Sequence, residues 1–143
     1  MTTPSTKDFS KLCIHTQTTK PWTIEECIIN FASAVIKGIS IWRHLLEGKD
    51  LDKIKSLLNS NRMDVVSLVR GGFFPSVDPK KRLLAIEDTQ LAIDQAAALG
   101  APLVVLVCGA EPNQSLELCR QQLKEGKNEL IPLDKTRERR ESN

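Results

Sequence analysis

No stretch of this 143-residue chain is apolar over anything near the roughly 20 residues that a membrane-spanning helix needs. It also lacks an excess of one charge sign. Twenty Lys and Arg face 18 Asp and Glu, a formal net charge of +2, so composition provides neither a nucleic-acid stripe nor a funnel for acidic substrates. The four cysteines, Cys13, Cys27, Cys108 and Cys119, form no CxxC pair and no zinc-type spacing. Packed, reduced thiols are expected. The opening MTTPSTKDFSK has no apolar core of the kind a secretory signal carries. A cytoplasmic protein with no membrane and no nucleic-acid partner is the expectation.

What is present alternates. KLCIHT (11–16) reads as a strand, and TIEE (23–26) starts a helix, with Thr23 and Glu26 at capping-box spacing. Ile24, Cys27, Ile28, Phe31 and Val35 then fall on one helical face, and Lys37-Gly38 is expected to end it with a left-handed glycine. ISIW (39–42) is the second strand. Asp50 caps a second helix with Leu51, Ile54, Leu57 and Leu58 on its apolar side. DVVSLV (64–69) is the third strand, and an alanine-rich helix from about Pro79 to Leu99 stops at Gly100. PLVVLV (102–107) has the unbroken apolar character of a parallel strand covered on both faces. Ser115 caps a fourth helix bearing Leu116, Cys119 and Leu123.

Such βα alternation predicts an α/β fold with a parallel sheet and right-handed crossovers. Two architectures compete: a flavodoxin-like doubly wound sheet, which suits the length, and the first four βα units of a (β/α)8 TIM barrel, incomplete because a whole barrel takes about 250 residues. No Gly-rich phosphate turn follows the first strand, which counts against the former. Every strand instead runs into polar or aromatic groups: His15-Thr16, Trp42-Arg43-His44, Arg70-Gly71-Gly72-Phe73-Phe74, and Cys108-Gly109-Ala110-Glu111-Pro112.

The segments IHTQTTKPWTIEE, GISIWRHLLEGKD, VVSLVRGGFFP and LAIDQAAALGAPLVVLVCGAEPNQSLE together resemble the N-terminal half of the sugar phosphate isomerase/epimerase family, xylose isomerase-like TIM barrels. The resemblance runs in order over residues 11–133. It leaves 1–10 as a flexible N-terminus and 134–143 as a charged, disordered tail. It implies that a complete relative isomerises or epimerises a sugar or related hydroxy-carbonyl compound with a divalent metal (Mn, Mg, Co or Zn). That metal would be held by carboxylates and a histidine on later strands. No strand of the form V-x-L-x-x-E-P follows LIPL (130–133); DKTRERRESN stands there instead. The expectation is therefore a truncated form, from a frameshift or early stop or as a natural short form, with no metal site and no cofactor of its own. Such a chain alone would be inactive. An open half-barrel is also expected to self-associate through its sheet edges or to bind a complementary half.

Barrel sites form at the C-terminal strand ends, which makes His15, Trp42, Arg43, Arg70, Gly71, Gly72, Phe73 and Glu111 the substrate-binding candidates. Arg70 offers a rigid fork of donors, the glycine pair a close backbone approach, and Phe73 with Phe74 a wall for a sugar face. The same segment also reads as a surface arginine, a glycine loop and aromatics under a lid. His15 is the one catalytic candidate, able to move a proton near neutrality, or a structural histidine. Trp42 is an apolar platform or a barrel cap; Arg43 binds ligand or pairs with a carboxylate. Glu111, beside Pro112, fits a turn better than a ligand. His44-x-x-Glu47 has a helical ligand spacing that is weak alone. Cys108 has no histidine beside it in the sequence and is assigned to packing.

Overall fold

The computed structural model describes residues 8–141, with side chains through Ile131. The expected 1–10 segment lies largely outside the described residues. In chain order the elements are β1 (Cys13–His15), α1 (Ile24–Ser33), β2 (Gly38–Trp42), α2 (Leu51–Ser60), β3 (Asp64–Gly72), α3 (Pro79–Leu99), β4 (Val104–Val107) and α4 (Leu116–Glu141). Short 3-10 turns follow β1 at Thr16–Thr19 and β2 at Arg43–Leu46. α4 runs into the charged stretch 134–143 that the sequence set apart.

The strands form one sheet in the order β1-β2-β3-β4. β1 and β2 are parallel with His15 opposite Ser40, and β2 and β3 are parallel with a register shift between Ile39 and Ser40. β3 meets β4 through Leu68 N–H to Leu103 O (3.1 Å) and Phe73 N–H to Val107 O (2.8 Å). Sequential parallel strands in this order are what successive right-handed βα units produce. The α/β alternation and the parallel sheet stand as expected.

Two compact units divide the chain. Among the described residues, one holds those up to Val69 with Gln95–Val104, the other Arg70–Asp94 with those from Val105 onward. In the first, Ile24, Cys27, Ile28 and Phe31 of α1 pack with Ile39 and Ile41 of β2, Ile54 and Leu58 of α2, and Leu68 of β3. The α1 and β2 patterns show the 3.6 and 2 residue periods. In β2, Ser40 takes the other face, and its hydroxyl bonds that of Ser67 (2.5 Å). Thr23 closes the expected capping box with Glu26, and Asp50 accepts from the Asp52 and Lys53 amides.

The end of α1 departs from expectation. The helix stops at Ser33, and Val35, 67% exposed, takes the left-handed position with φ 63°. Val35 N–H bonds Ala32 O and Ile36 N–H bonds Phe31 O, which completes a Schellman motif with valine where glycine is usual. Gly38 is instead the first residue of β2, where a Cβ would lie 2.8 Å from the Leu12 carbonyl oxygen. That glycine serves strand approach, not helix termination. Gly100 does end α3 as expected, at φ 74°.

In the second unit Phe74 is buried, and a Cβ on Gly126 of α4 would come within 2.6 Å of its ring. α4 turns Cys119, Gln122, Gly126 and Leu130 inward, while Leu116 is exposed, contrary to its assignment to the apolar side. β4 is also not covered on both faces. Val105 and Leu106 are each 37% exposed, because β4 is the last strand in the order.

Candidate functional site

The first unit gathers His15, Thr16, Trp42 and His44. Strand alternation sets His15 and Trp42 on the face of Ser40, away from Ile39 and Ile41. Trp42 N–H donates to the hydroxyl of buried Thr16 (3.0 Å), and Trp42 Nε1–H donates to Nδ1 of His15 (3.3 Å). The His44 ring meets Trp42 edge-on, with centroids 6.4 Å apart and planes at 69°. Arg43 turns to Gln95, its Nε–H donating to Oε1 at 2.7 Å. Gln95 was not singled out in the sequence, where no periodicity or motif marks it, and Thr16 was named only beside His15 as a polar strand end. Buried Gln17 Oε1 has no hydrogen-bond partner among the described residues.

The second unit gathers Arg70, the glycine pair, Phe73 and Glu111. β3 continues through Gly72, so Arg70 and both glycines belong to the strand rather than to a loop after it. Arg70 Cζ lies 4.4 Å from the centroid of Phe73, a cation–π arrangement. Phe73 is 42% exposed at φ 60°, with Gly109 (φ 75°) close against it. The space beside the glycines belongs to the protein. A Cβ on Gly71 would lie 2.8 Å from Thr89 Cγ2, and one on Gly72 (φ 102°) would strike the Val107 carbonyl oxygen. Gly72 N–H donates to Thr89 Oγ1 at 2.8 Å. Phe74, expected beside Phe73 as a wall, turns inward at 1% exposure.

Glu111 holds two loops. Its Oε1 accepts from Asn113 N–H (3.2 Å) and Asn113 Nδ2 (3.1 Å), its Oε2 from Val77 N–H (3.4 Å). The Asn113 amide, above all, keeps its carboxyl below the ordinary glutamate range, against a desolvation that raises it; the Val77 amide adds to the lowering. Beneath, Gln122 Oε1 accepts from Ser76 N–H (3.1 Å) and Gln114 Nε2 (2.6 Å). Gln122 was illegible in the sequence because a polar residue on a buried helix face breaks the apolar pattern.

Among the described residues no three His, Cys, Asp or Glu side chains gather as metal ligands do. His44 lies in a single 3-10 turn that ends at Leu46, so Glu47 does not continue a helical face with it. The metal implied by the resemblance therefore does not fit these residues. Burial pushes the Cys13 and Cys27 thiols up, the opposite of nucleophilic activation.

The model of the xylose isomerase-like TIM barrel family matches residues 20–139. The chain belongs to that family. Among solved structures, this xylose isomerase-like chain is similar to a protein of Sinorhizobium meliloti 1021, at 28% identity and TM-score 0.80, over 87% of this chain and 46% of that one. A xylose isomerase domain-containing protein of Salmonella typhimurium LT2 aligns at 13% identity and TM-score 0.69, over 89% of this chain and 47% of that one. A D-psicose 3-epimerase solved in the presence of D-fructose aligns at 12% identity and TM-score 0.66, over 82% and 46%. The last two likenesses are of fold. The xylose isomerase-like chain thus spans a little under half the length of these relatives, which accords with a partial barrel. No curated protein matches it. No helix among the described residues is long and apolar enough to cross a membrane.

Proposed function

We propose that this chain supplies the first four βα units of a barrel that binds a sugar or related hydroxy-carbonyl compound, and that the whole barrel isomerises or epimerises it in the cytoplasm. The carrying observation is Arg70 stacked at 4.4 Å over the exposed ring of Phe73. A guanidinium on an aromatic face joins hydrogen-bond donors to a flat apolar surface, which suits the hydroxyls and the C–H face of a sugar. Gly71 and Gly72 hold the strand that carries Arg70 against Thr89 and Val107, and Glu111 ties down the loop bearing Val77. Isomerisation and epimerisation require a proton to leave and return beside a polarised carbonyl. Of this chain's residues, His15 is proposed to hydrogen-bond substrate, with Trp42 as an apolar platform and Arg43 as a cation beside it. The metal and the carboxylate base are assigned to later strands.

The test is a calorimetric or NMR titration with D-fructose, the ketose of the epimerase relative. Binding should weaken at least tenfold in Arg70→Ala and severalfold in Phe73→Leu, since a charge-assisted hydrogen bond contributes about 1.5–3 kcal/mol. Unchanged affinity in both variants overturns this use of the pair.

The exposed apolar side chains of β4 favour a second reading, in which that edge pairs with a second copy or a complementary half. Sedimentation should then show concentration-dependent association that Val105→Lys reduces. A monodisperse monomer refutes it.

A further inference from the structure

The link between Trp42 and His15 decides more than the placement of two side chains. An indole Nε1–H only donates, so the His15 nitrogen that receives it must be unprotonated. That nitrogen is Nδ1, at 3.3 Å. A neutral imidazole carries one proton, which is then on Nε2. We infer that Trp42 is a positioning residue that holds His15 as the Nε2–H tautomer, and that His15 meets its ligand as a hydrogen-bond donor to a carbonyl or hydroxyl oxygen, not as a proton acceptor.

The surroundings favour a fixed indole. Trp42 N–H is tied to the buried Thr16 hydroxyl at 3.0 Å, its ring is flanked edge-on by His44, and its strand pairs in register with that of His15. Thr18 Oγ1–H donates to the His15 carbonyl at 2.7 Å, which holds the backbone where the imidazole departs. His15 is exposed, and among the described residues its Nε2 has no protein partner. The chemical consequence is a division of labour. A donor at this strand end polarises an oxygen of the substrate, so the group that takes the carbon-bound proton must be another. The donor role rests on the sugar-binding reading above, whereas the tautomer does not.

Two measurements on the whole chain separate them. Long-range ¹H–¹⁵N correlation at about pH 8–9, where an ordinary imidazole is neutral, should show His15 as a single Nε2–H tautomer. Trp42→Phe keeps an aromatic ring and removes the donor, and should return His15 toward the mixture of a free imidazole. A proton on Nδ1, or the same tautomer ratio with and without the indole, overturns the inference. Should Trp42→Phe not fold, the indole proton decides. In His15→Ala the Trp42 Nε1–H should move upfield and exchange faster while that of Trp22 stays put; no change refutes the bond. In the D-fructose titration, His15→Gln retains an amide donor and should bind within about threefold of the unmodified chain, with His15→Ala at least tenfold weaker. If His15→Gln is as impaired as His15→Ala, the donor role is wrong. Failure of the unmodified chain to bind refutes the sugar reading and the donor role with it, leaving the tautomer to the spectra.

Discussion

The two units bury apolar surface very differently. In the first, a continuous cluster joins α1, α2, β2 and β3, with Ile24, Ile28, Ile39, Ile41, Leu58 and Leu68 essentially removed from water. In the second, the buried apolar side chains among the described residues are Phe74, Ala92, Cys119 and Leu130, while Val77, Leu83, Leu84, Leu91, Leu106 and Leu116 lie exposed. Hydrophobic stabilisation scales with area removed from water. The second unit instead relies on glycine-mediated close approach at Gly71, Gly72, Gly109 and Gly126 and on the polar ties of Glu111, Gln114 and Gln122. One unit is held by a core, the other by a few contacts that each matter more.

The sharpest attempt to break this contrast is Phe74→Ala. Truncating a buried phenylalanine costs about 3–5 kcal/mol. With so little else buried beside Phe74, amide-exchange protection should vanish over residues 105–131 and persist over 24–69. If both stretches lose protection together, the units unfold as one and the contrast has no energetic meaning.

Next in size is a matched glycine pair. Gly72→Ala meets both a left-handed φ and the Val107 backbone, whereas Gly38→Ala meets the Leu12 carbonyl oxygen at 2.8 Å and Cys13 at 3.1 Å with no left-handed φ. Overpacking costs about 1–3 kcal/mol and an unfavourable backbone region about as much again. Gly72→Ala should therefore depress the denaturation midpoint more than Gly38→Ala, and a reversed order would show that the β3–β4 approach is slack.

Val35→Gly should act in the opposite direction. A non-glycine residue pays about 1–2 kcal/mol in the left-handed region, offset by up to about 1 kcal/mol of added unfolded-state entropy. A net gain of about 0.5–1 kcal/mol is expected from denaturant unfolding, with no change in the second unit's exchange.

The smallest effect concerns Glu111. Its folded-state carboxyl lies below the ordinary value, so its contribution is complete above that value and is lost as pH falls through the folded pKa. Protection around Val77 and Asn113 should weaken only at a pH below that at which an ordinary glutamate protonates. Glu111→Gln should flatten that acid limb while slightly loosening both loops at neutral pH. An acid limb unaltered by the substitution would assign it to other carboxylates.

Legibility followed locality. The Thr23–Glu26 box, the Asp50 cap, the span of α3 and the glycine at its end were readable, because each depends on partners within a few residues. The end of α1 was misread because Gly38 invited a left-handed assignment, while the strand neighbour that needed its missing Cβ lies far back in the chain at Leu12. Of the site candidates, sequence placed His15 and Trp42 at strand ends, but their hydrogen bond depends on a register between β1 and β2 that no periodicity encodes.

By itself, then, the sequence determined the order of strands and helices, the N-terminal helix caps and the family, since these rest on short-range hydrogen bonding and on motifs contiguous in the chain. Only the tertiary structure decided which glycines admit a neighbouring strand, that Phe74 is core while Phe73 is surface, that Glu111 ties two loops, and that Trp42 addresses Nδ1 of His15. Each of those is an encounter between residues distant in sequence, set by sheet register and packing geometry that become defined once the chain has folded.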